Sequence, residues 1–258
     1  MAVLHVVSRW TMNSVLLVTG GNRGIGAATA RLAARAGHAV CLSYRSHAEE
    51  AAAVVAEIRA AGGEALAVAA DVAVEAEVSR LFEQADALGP LRALVNNAGM
   101  LEPQARVAEM DAARLTRVFA VNVIGSFLCA REAVRRMSTR QGGAGGAIVN
   151  VSSAAARLGS PGEYVDYAAS KGAIDTFTIG LAKEVAAEGI RVNAVRPGVI
   201  HTAIHASGGE PGRVERVQAA VPMQRGGQPD EVAQAIIWLL SDAASYCTGS
   251  LLDISGGR

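Results

Sequence analysis

Tyr167 and Lys171 are the two residues of this chain whose types and spacing most directly suggest chemistry. On a helix, residues four apart lie on one face, so the Lys171 ammonium would sit beside the Tyr167 phenol. A free phenol has a pKa of about 10, and a nearby cation lowers that pKa toward the neutral range in which a group works as a general acid or base. The pair alone does not decide the matter, because a half-buried ring beside a solvated amine has the same spacing.

A glycine-rich turn near the start of the chain predicts a phosphate-binding site. Residues 15–18 form an aliphatic run typical of a buried strand, residues 19–26 contain the glycines, and residues 27–36 predict an alanine-rich helix that ends at Gly37. Glycines let the backbone approach a pyrophosphate, whose charge is held by free N–H groups at the helix N-terminus. Strand, turn and helix together favour a bound dinucleotide.

The end of the second predicted strand, residues 39–43, indicates which dinucleotide. An NAD site would place an acidic residue there for the ribose hydroxyl, but the chain reads Ser43-Tyr44-Arg45-Ser46-His47, and the first carboxylate, Glu49, is expected to open the next helix. Arg45 and Arg23 would supply positive charge for a 2′-phosphate. We therefore expect NADP(H) rather than NAD(H). The alternative is that both arginines are ordinary solvated surface charges.

Strands and helices alternate along the rest of the chain. Further strands are predicted at residues 65–70, 91–95, 147–151, 190–195 and 251–254, and helices at 48–61, 74–88, 112–137, around Tyr167 to Gly189, and 229–240. Such alternation with short connections predicts one parallel sheet with helices on both faces. Small polar residues follow several strands, and that edge is where an open α/β sheet binds its ligand.

The helix predicted over residues 112–137 has Asp111 as its predicted N-cap and one side that is predicted to be buried. The buried stripe comprises Leu115, Val118, Val121, Ile124 and Leu128. Asn122 within this helix is either an exposed residue or a polar relay at the site.

Residues 199–227 are rich in glycine, proline and polar residues, with a short helix predicted at 213–220. This segment is expected to form a lid or substrate loop.

The composition excludes some partners. The 24 Lys and Arg balance the 24 Asp and Glu, so nothing indicates binding to nucleic acid or to a membrane surface. Cys41, Cys129 and Cys247 are odd in number and lack partners at metal-ligand spacing, which predicts reduced thiols in a cytoplasmic protein without a metal site. Residues 1–13 lack the length and flanks of a signal peptide or membrane span, and we expect a flexible tail.

Taken in order, these motifs resemble the classical short-chain dehydrogenase/reductases, and the resemblance covers essentially all of residues 15–257. It is similar in particular to the glucose 1-dehydrogenase-like and 3-oxoacyl-carrier-protein-reductase-like branch. The resemblance implies one domain over residues 14–258, a doubly wound, mostly parallel seven-stranded α/β Rossmann sheet with helices on both faces. The matching features are Thr19-Gly20-x-x-x-Gly24-Ile25-Gly26, Asp71, Asn96-Asn97-Ala98-Gly99, Asn122, Ser153, Tyr167-x-x-x-Lys171 and Pro197-Gly198 with Thr202.

The resemblance also implies a role for each site residue. Tyr167 would be the general acid in reduction and the base in oxidation, and Lys171 would lower the tyrosine pKa and hold the nicotinamide ribose. Ser153 would hydrogen-bond the substrate oxygen, and Asn122 would anchor a water that relays protons to Lys171. The other residues implied to bind the cofactor are Gly20, Asn22, Arg23, Gly24, Ile25, Gly26, Tyr44, Arg45, Asp71, Val72, Asn97, Ala98, Gly99, Pro197, Gly198, Ile200 and Thr202. The family further implies a homotetramer with the C-terminal segment in an interface.

One departure from the family concerns the segment between Ser153 and Tyr167. Its 14-residue separation is one more than is commonest, so the loop over residues 154–166 is expected to bulge, with Ser152 as the alternative serine.

The leading hypothesis is an NADPH-linked reductase of a ketone or aldehyde. The alternatives are a sugar or polyol dehydrogenase, a 3-oxoacyl thioester reductase and a non-catalytic dinucleotide sensor, although a sensor has no need of Ser153, Tyr167 and Lys171 together. His201 and His205 either bind substrate or provide polar coverage. The expected substrate pocket mixes polar and apolar residues, namely Ala154, Arg157, Pro161, Glu163, Tyr164, Val199, His205 and Met223.

Overall fold

Seven parallel strands form one sheet in the computed structural model, which describes residues 14–258. The predicted tail over residues 1–13 lies outside the described residues. Neighbouring strands pair in parallel in the order β3-β2-β1-β4-β5-β6-β7, so the predicted seven-stranded sheet is confirmed and is parallel throughout. The strands are β1 (Val15–Val18), β2 (Ala39–Tyr44), β3 (Ala65–Ala69), β4 (Leu91–Asn96), β5 (Gly146–Val151), β6 (Ile190–Pro197) and β7 (Leu251–Ile254).

Helices cover both faces of this sheet. They are α1 (Gly24–Arg35), α2 (Ala48–Ala60), α3 (Glu75–Asp86), α4 (Ala112–Phe119), α5 (Gly125–Met137), α6 (Ala155–Leu158), α7 (Val165–Val185), α8 (Ile204–Ser207), α9 (Arg213–Val217) and α10 (Pro229–Leu240). Alternate residues of one strand serve opposite layers: Leu16 packs with α1, α2 and α10, whereas Leu17 packs with α3, α5 and α7. Burial on both faces explains why the strands are continuous aliphatic runs.

The strand order reverses at β1, whose neighbours in the sheet are β2 on one side and β4 on the other. The chain leaves these adjacent strands in opposite directions, which opens a crevice at their carboxyl ends. The glycine turn after β1 and residues 97–99 after β4 both lie at this point. The fold therefore brings the predicted phosphate cradle to the edge where an open α/β sheet binds its ligand.

Helix α1 begins three residues earlier than predicted. The sequence placed its start at Ala27, but Gly24 is already helical, because the second half of the glycine turn forms the first turn of the helix. No side chain caps this end, since Arg23 occupies the N-cap position without a capping hydrogen bond. The first N–H groups of α1 are thus left for another acceptor.

The predicted helix over residues 112–137 is continuous but irregular. Asp111 caps it as predicted by accepting a hydrogen bond from the Arg114 N–H at 2.7 Å. Helices α4 and α5 are joined by a π-helical turn over Ala120–Ile124. A π turn holds an extra residue and rotates every later position around the axis.

The predicted buried stripe of this helix is wrong at two positions, because Leu115 and Ile124 are exposed while Val118 is fully buried. On α4 the second buried side chain is that of Arg114, which is drawn inward by an ion pair with Asp166. Beyond α4, the π turn removes the regular periodicity on which the stripe was based.

One helical stretch among the described residues, Ala112–Met137, is long and apolar enough by composition to cross a membrane. Its last turns bury Cys129, Ala133 and Met137 in the core beneath the sheet. We interpret it as a core helix of the domain.

Candidate active site

A cleft of about 590 Å³ lies at the carboxyl ends of the strands. It is lined by the glycine turn, the ends of β2, β3 and β4, Ser153, Tyr167, Lys171 and the segment after β6. Of the residues predicted for the site, all but Gly26 and Asn122 line this cleft, and those two lie behind its wall. The topology therefore brings together residues as distant in sequence as Gly20 and Thr202.

The glycine turn is rigidly held. Gly20 and Gly24 adopt φ values of 62° and 55°, which favour glycine. A Cβ at Gly26 would overlap the carbonyl oxygen of Gly20 and lie 2.6 Å from Asn97 Nδ2. Asn97 in turn donates from Nδ2 to the carbonyl oxygens of Thr19 and Gly20, both at 2.9 Å. Close backbone packing beside an uncapped helix N-terminus fits the pyrophosphate of a dinucleotide.

Arg45 lies at the far end of this cleft, after β2. Its side chain is 60% exposed, and its guanidinium is 3.9 Å from the Asp71 carboxylate. Arg23 donates to Ser207 Oγ at 3.4 Å and so connects the glycine turn to α8. Both arginines line the cleft, as predicted for residues that would face a 2′-phosphate.

Glu50 is a carboxylate near this end that sequence reasoning did not place there. Its Oε2 accepts a hydrogen bond from Asn22 Nδ2 at 3.0 Å. Glu50 follows Glu49 in the first turn of α2, and Asn22 belongs to the glycine turn, so only the packing of α2 against that turn brings them together.

Tyr167 occupies the first turn of α7, with its hydroxyl hydrogen-bonded to Ser153. Loss of solvent raises the pKa of Tyr167, while the Ser153 hydrogen bond and the charge of Arg213 lower it. Contrary to expectation, Lys171 is not one of the protein groups that lower the pKa of Tyr167. Its Nζ is 5.6 Å from the ring centroid, and Lys171 is not among the groups that shift the tyrosine.

Lys171 is buried on the same face of α7. Its Nζ donates to the Val151 carbonyl oxygen at 2.7 Å, which fixes the side chain against the end of β5. Burial lowers the pKa of Lys171 to about 8, and the negative charge of Asp175 opposes that shift. A lysine with such a pKa can exchange its proton in the neutral to mildly alkaline range.

Asn122 lies in the π turn and is fully buried, so the exposed interpretation is wrong. Its Oδ1 accepts from the Met100 N–H at 2.8 Å, and its Nδ2 donates to the Met100 carbonyl oxygen and to Ser170 Oγ, both at 3.1 Å. These bonds tie the helix to the loop after β4 and to α7. A Cβ built on Gly99 would be 3.4 Å from Asn122 Oδ1 and 3.6 Å from Lys171 Nζ, so Gly99 separates the two polar groups.

Comparison with known proteins agrees with this geometry. A family model described as "Enoyl-(Acyl carrier protein) reductase" matches residues 20–258. The chain is 60% identical over 246 residues to the uncharacterized oxidoreductase YgfF of Escherichia coli (strain K12), covering 95% of this chain and 100% of that protein. The solved short-chain dehydrogenase/reductase from Serratia marcescens BCRC 10948 has a TM-score of 0.88 at 34% identity, covering 95% of this chain and 98% of that one. The chain belongs to the short-chain dehydrogenase/reductase family.

Another structure of the short-chain dehydrogenase/reductase fold is a 3-ketoacyl-(acyl-carrier-protein) reductase from Brucella melitensis complexed with NADH. It has a TM-score of 0.87 at 33% identity and covers 95% of this chain and 98% of its own. Together these matches confirm the family resemblance, the Rossmann fold and membership of an oxidoreductase family that binds nicotinamide cofactors.

The long segment between Ser153 and Tyr167 is accommodated by α6 and the turn that follows it. Gly159, Ser160 and Gly162 all have positive φ, which turns the chain back toward α7. Ser153 Oγ accepts from the Ala155 N–H at 3.1 Å, whereas Ser152 Oγ is directed to the Lys171 carbonyl oxygen at 3.1 Å. Both serines line the cleft, and Ser153 is the one that hydrogen-bonds Tyr167.

The segment over residues 199–227 lines one side of the cleft with residues of α8 and α9, and its helix at 213–220 is confirmed as α9 followed by a 3-10 turn. Arg213 of α9 pairs with Glu163 at 2.6 Å and with Glu210 at 2.9 Å. Arg216 pairs with the same two carboxylates. This ion-pair cluster attaches the segment to the residues just before α7.

The predicted substrate pocket is partly wrong. Arg157 and Met223 line a second cavity, because the Arg157 guanidinium is drawn away by Asp253 at 3.2 Å and by the Arg258 carbonyl oxygen at 3.0 Å. His205 lines the cleft but is bonded through Nε2 to the Ile200 carbonyl oxygen. The other predicted pocket residues, Ala154, Pro161, Glu163, Tyr164 and Val199, do line the cleft.

Sequence reasoning missed Arg213, Met100 and Leu101, which also line the cleft. Arg213 carried no distinguishing signal, because Arg216 lies three residues later on the same short helix. Among the described residues, no group of three His, Cys, Asp or Glu side chains could hold a metal ion.

Proposed function

We propose that this chain is an NADP(H)-dependent oxidoreductase that transfers a hydride between the nicotinamide and a carbonyl or secondary alcohol, with Tyr167 as general acid and base. The observation that carries the proposal is the convergence of Ser153, Tyr167 and Lys171 in one cleft with the glycine cradle. A protein that only bound a dinucleotide would need the cradle but not a buried lysine beside a hydrogen-bonded serine and tyrosine.

When bound, the nicotinamide supplies or accepts the hydride at the substrate carbon. The remaining work belongs to the protein. In reduction, the Tyr167 hydroxyl donates its proton to the carbonyl oxygen, and the Ser153 hydroxyl hydrogen-bonds that oxygen as negative charge develops on it. In alcohol oxidation Tyr167 accepts the same proton. Lys171, one turn along α7 in the same cleft, would hold the nicotinamide ribose beside the reacting atoms.

Asn122 is proposed to set the position of the proton path rather than to contact substrate. Its hydrogen bonds to Met100 and Ser170 hold the loop after β4 close to Lys171. A water held beside Gly99 would return protons to Lys171. The glycine turn, Asp71, Val72 and the segment from Pro197 to Thr202 are the proposed contacts for the rest of the cofactor.

NADP(H) is preferred in this proposal because Arg45 and Arg23 line the far end of the cleft. The Brucella relative binds NADH, and both Asp71 and Glu50 lie near the arginines, so the preference needs a direct test. Replacing Arg45 with Asp should raise the Kd of NADPH at least tenfold and change that of NADH little. Arg35, exposed at the end of α1, is a matched control. Equal weakening of both nucleotides would remove Arg45 from the 2′-phosphate site.

A second candidate function, reduction of a 3-oxoacyl thioester, is favoured by the likeness to the Brucella 3-ketoacyl-(acyl-carrier-protein) reductase. The deciding experiment follows nicotinamide absorbance with purified protein, NADPH or NADH, and a panel of ketones, aldehydes, 3-oxoacyl thioesters and enoyl thioesters. Sugars and polyols are tested in the reverse direction. Turnover of one class fixes the substrate class. Tight nucleotide binding without any turnover would support the sensor instead.

The assembly is proposed to be a homotetramer in the cytoplasm. In support of an assembly, Phe127 on α5 is 48% exposed although its ring stacks on Phe177 of α7. Ile124, which precedes Phe127 by three residues, and Ile179, which follows Phe177 by two, are exposed as well. Exposed apolar side chains on packed helices are typical of subunit contacts. The three cysteines are all free thiols, as expected in a reducing compartment. Sedimentation as a stable monomer would contradict the assembly.

A further inference from the structure

Lys171 has a charged neighbour on its own helix. Asp175 follows it by four residues on α7, which places the two side chains on the same face, one turn apart. Both are buried, with Lys171 4% and Asp175 7% exposed. A buried carboxylate at this position has a strong effect on a buried ammonium, because little water screens the two charges.

Asp175 is itself held by Arg196 of β6. Its Oδ2 accepts from Arg196 Nε at 2.9 Å and from a terminal guanidinium nitrogen at 2.8 Å. Its Oδ1 is buried and has no hydrogen-bond partner among the described residues. A buried carboxylate oxygen without a partner of its own keeps part of its negative potential, and buried groups of this kind call for a functional explanation. Among the described residues, Arg196 also pairs with Asp253 of β7 at 3.9 Å.

We propose that Asp175 is a positioning residue for the reaction: its carboxylate keeps Lys171 charged in the closed site, and Arg196 limits how strongly it does so. The inference rests on the proposed function for its catalytic meaning. Burial disfavours the ammonium, and the carboxylate favours it. Arg196 withdraws part of the carboxylate field, so the lysine remains able to release its proton.

The other groups around Lys171 do not provide this charge. From β5 the Val151 carbonyl oxygen accepts the Nζ hydrogen bond, and Ser152 bonds the lysine backbone. The π turn contributes the neutral amide of Asn122, behind Gly99. On α7 itself, Tyr167 is neutral below its raised pKa, Asp166 is paired with Arg114, and Lys183 and Glu184 lie about three turns further along the helix. Among the described residues, Asp175 is the charge that raises the pKa of Lys171.

The chain allows a direct test, because Lys171 and Lys183 are its only two lysines. Protein labelled with ¹³C at lysine Cε would give two side-chain signals, and Lys183, which is exposed on the same helix, is an internal control. Titration of the wild type by NMR gives the pKa of Lys171. Asp175→Asn should lower it by about one unit, and Arg196→Gln should raise it, with Lys183 unmoved in both.

Opposite shifts are the decisive result, because a merely structural ion pair would give the same change in both variants. The double variant Asp175→Asn/Arg196→Gln removes both members of the ion pair and should still lower the pKa of Lys171 below the wild-type value, so it tests the inference even if a single variant fails to fold. An unchanged Lys171 in Asp175→Asn, or shifts of the same sign in both single variants, would overturn the proposal.

Turnover gives a second readout. In carbonyl reduction the alkaline limb of kcat/KM should move to lower pH in Asp175→Asn and to higher pH in Arg196→Gln, with KM at neutral pH little changed. If the wild type shows no turnover with the substrate panel, the proposed function fails, and the NMR titration still decides whether Asp175 controls the charge of Lys171.

Discussion

Arg114 and Asp166 form a buried ion pair directly beside Tyr167, and removing Arg114 should be far more costly than removing a similar arginine one turn away. The Arg114 guanidinium bonds Asp166 at 2.8 Å and the Pro103 carbonyl oxygen at 2.6 Å, while the Tyr167 N–H donates to Asp166 Oδ1 at 2.9 Å. Arg114→Met would leave a carboxylate and a carbonyl oxygen without their main partners. Breaking a buried pair in this way costs about 3–5 kcal/mol.

Arg117 provides the matched control, because it also lies on α4 and pairs with Glu102 at 2.9 Å. Its side chain is 55% exposed, so solvent screens the pair and Arg117→Met should cost less than about 1 kcal/mol. With a melting temperature shift of about 2–4 °C per kcal/mol for a domain of this size, Arg114→Met should melt roughly 6–20 °C lower.

The assay is urea unfolding followed by circular dichroism, with the free energy of unfolding compared among wild type, Arg114→Met and Arg117→Met. Arg114→Met combined with Asp166→Leu should recover part of the loss, since it removes the unpaired charge as well. Equal small losses for Arg114→Met and Arg117→Met would refute the argument that burial makes the first pair important.

Two further predictions concern the glycine turn and pH. Gly26→Ala should lower nucleotide affinity at least tenfold, because its Cβ would overlap the Gly20 carbonyl oxygen. Gly180→Ala, on the open surface of α7, is the control and should stabilise the fold by about 0.5–1 kcal/mol. Nucleotide binding is measured by calorimetry, and unchanged binding by Gly26→Ala would contradict the close packing. Burial lowers the pKa of His38 and of His205 below the ordinary 6.5, so the folded state takes up these protons later than the unfolded chain. Stability should therefore fall as pH drops below about 6.5, by up to about 1.4 kcal/mol per pH unit for each histidine, and His38→Gln should reduce that slope; urea midpoints between pH 7.5 and 5 check this, and a flat profile would contradict it.

Most of the fold follows from local sequence patterns. The strands are predicted to within one or two residues because both faces of the sheet are buried, so each strand is an aliphatic run between turn residues. The glycine turn, Tyr167 and Lys171 could be placed at one edge because every parallel strand ends there. What local patterns cannot give is an irregularity imposed from outside the segment. The π turn around Asn122 is held by hydrogen bonds to Met100 and Ser170, and no uniform periodicity contains that information.

Long-range electrostatics were equally inaccessible to sequence reasoning. The ion pair of Arg213 with Glu163 joins segments that are about 50 residues apart in the chain. The position of Lys171 beside Tyr167 was predicted, but its expected effect on the phenol was not obtained, because burial acts on both groups and favours their neutral forms. Spacing predicts which groups meet, whereas their ionisation depends on the whole environment.

The most direct test of the central claim compares Tyr167→Phe with Tyr164→Phe in the nicotinamide assay. Both tyrosines line the cleft, but their hydroxyls have different partners. The Tyr164 hydroxyl donates to the Gly208 carbonyl oxygen at 3.3 Å, whereas the Tyr167 hydroxyl is hydrogen-bonded to Ser153. If Tyr167 is the general acid and base, Tyr167→Phe should lose about 10²–10⁴-fold in kcat while still binding nucleotide, and Tyr164→Phe should lose far less. A Tyr167→Phe variant that keeps most of the carbonyl-reductase activity would contradict the account.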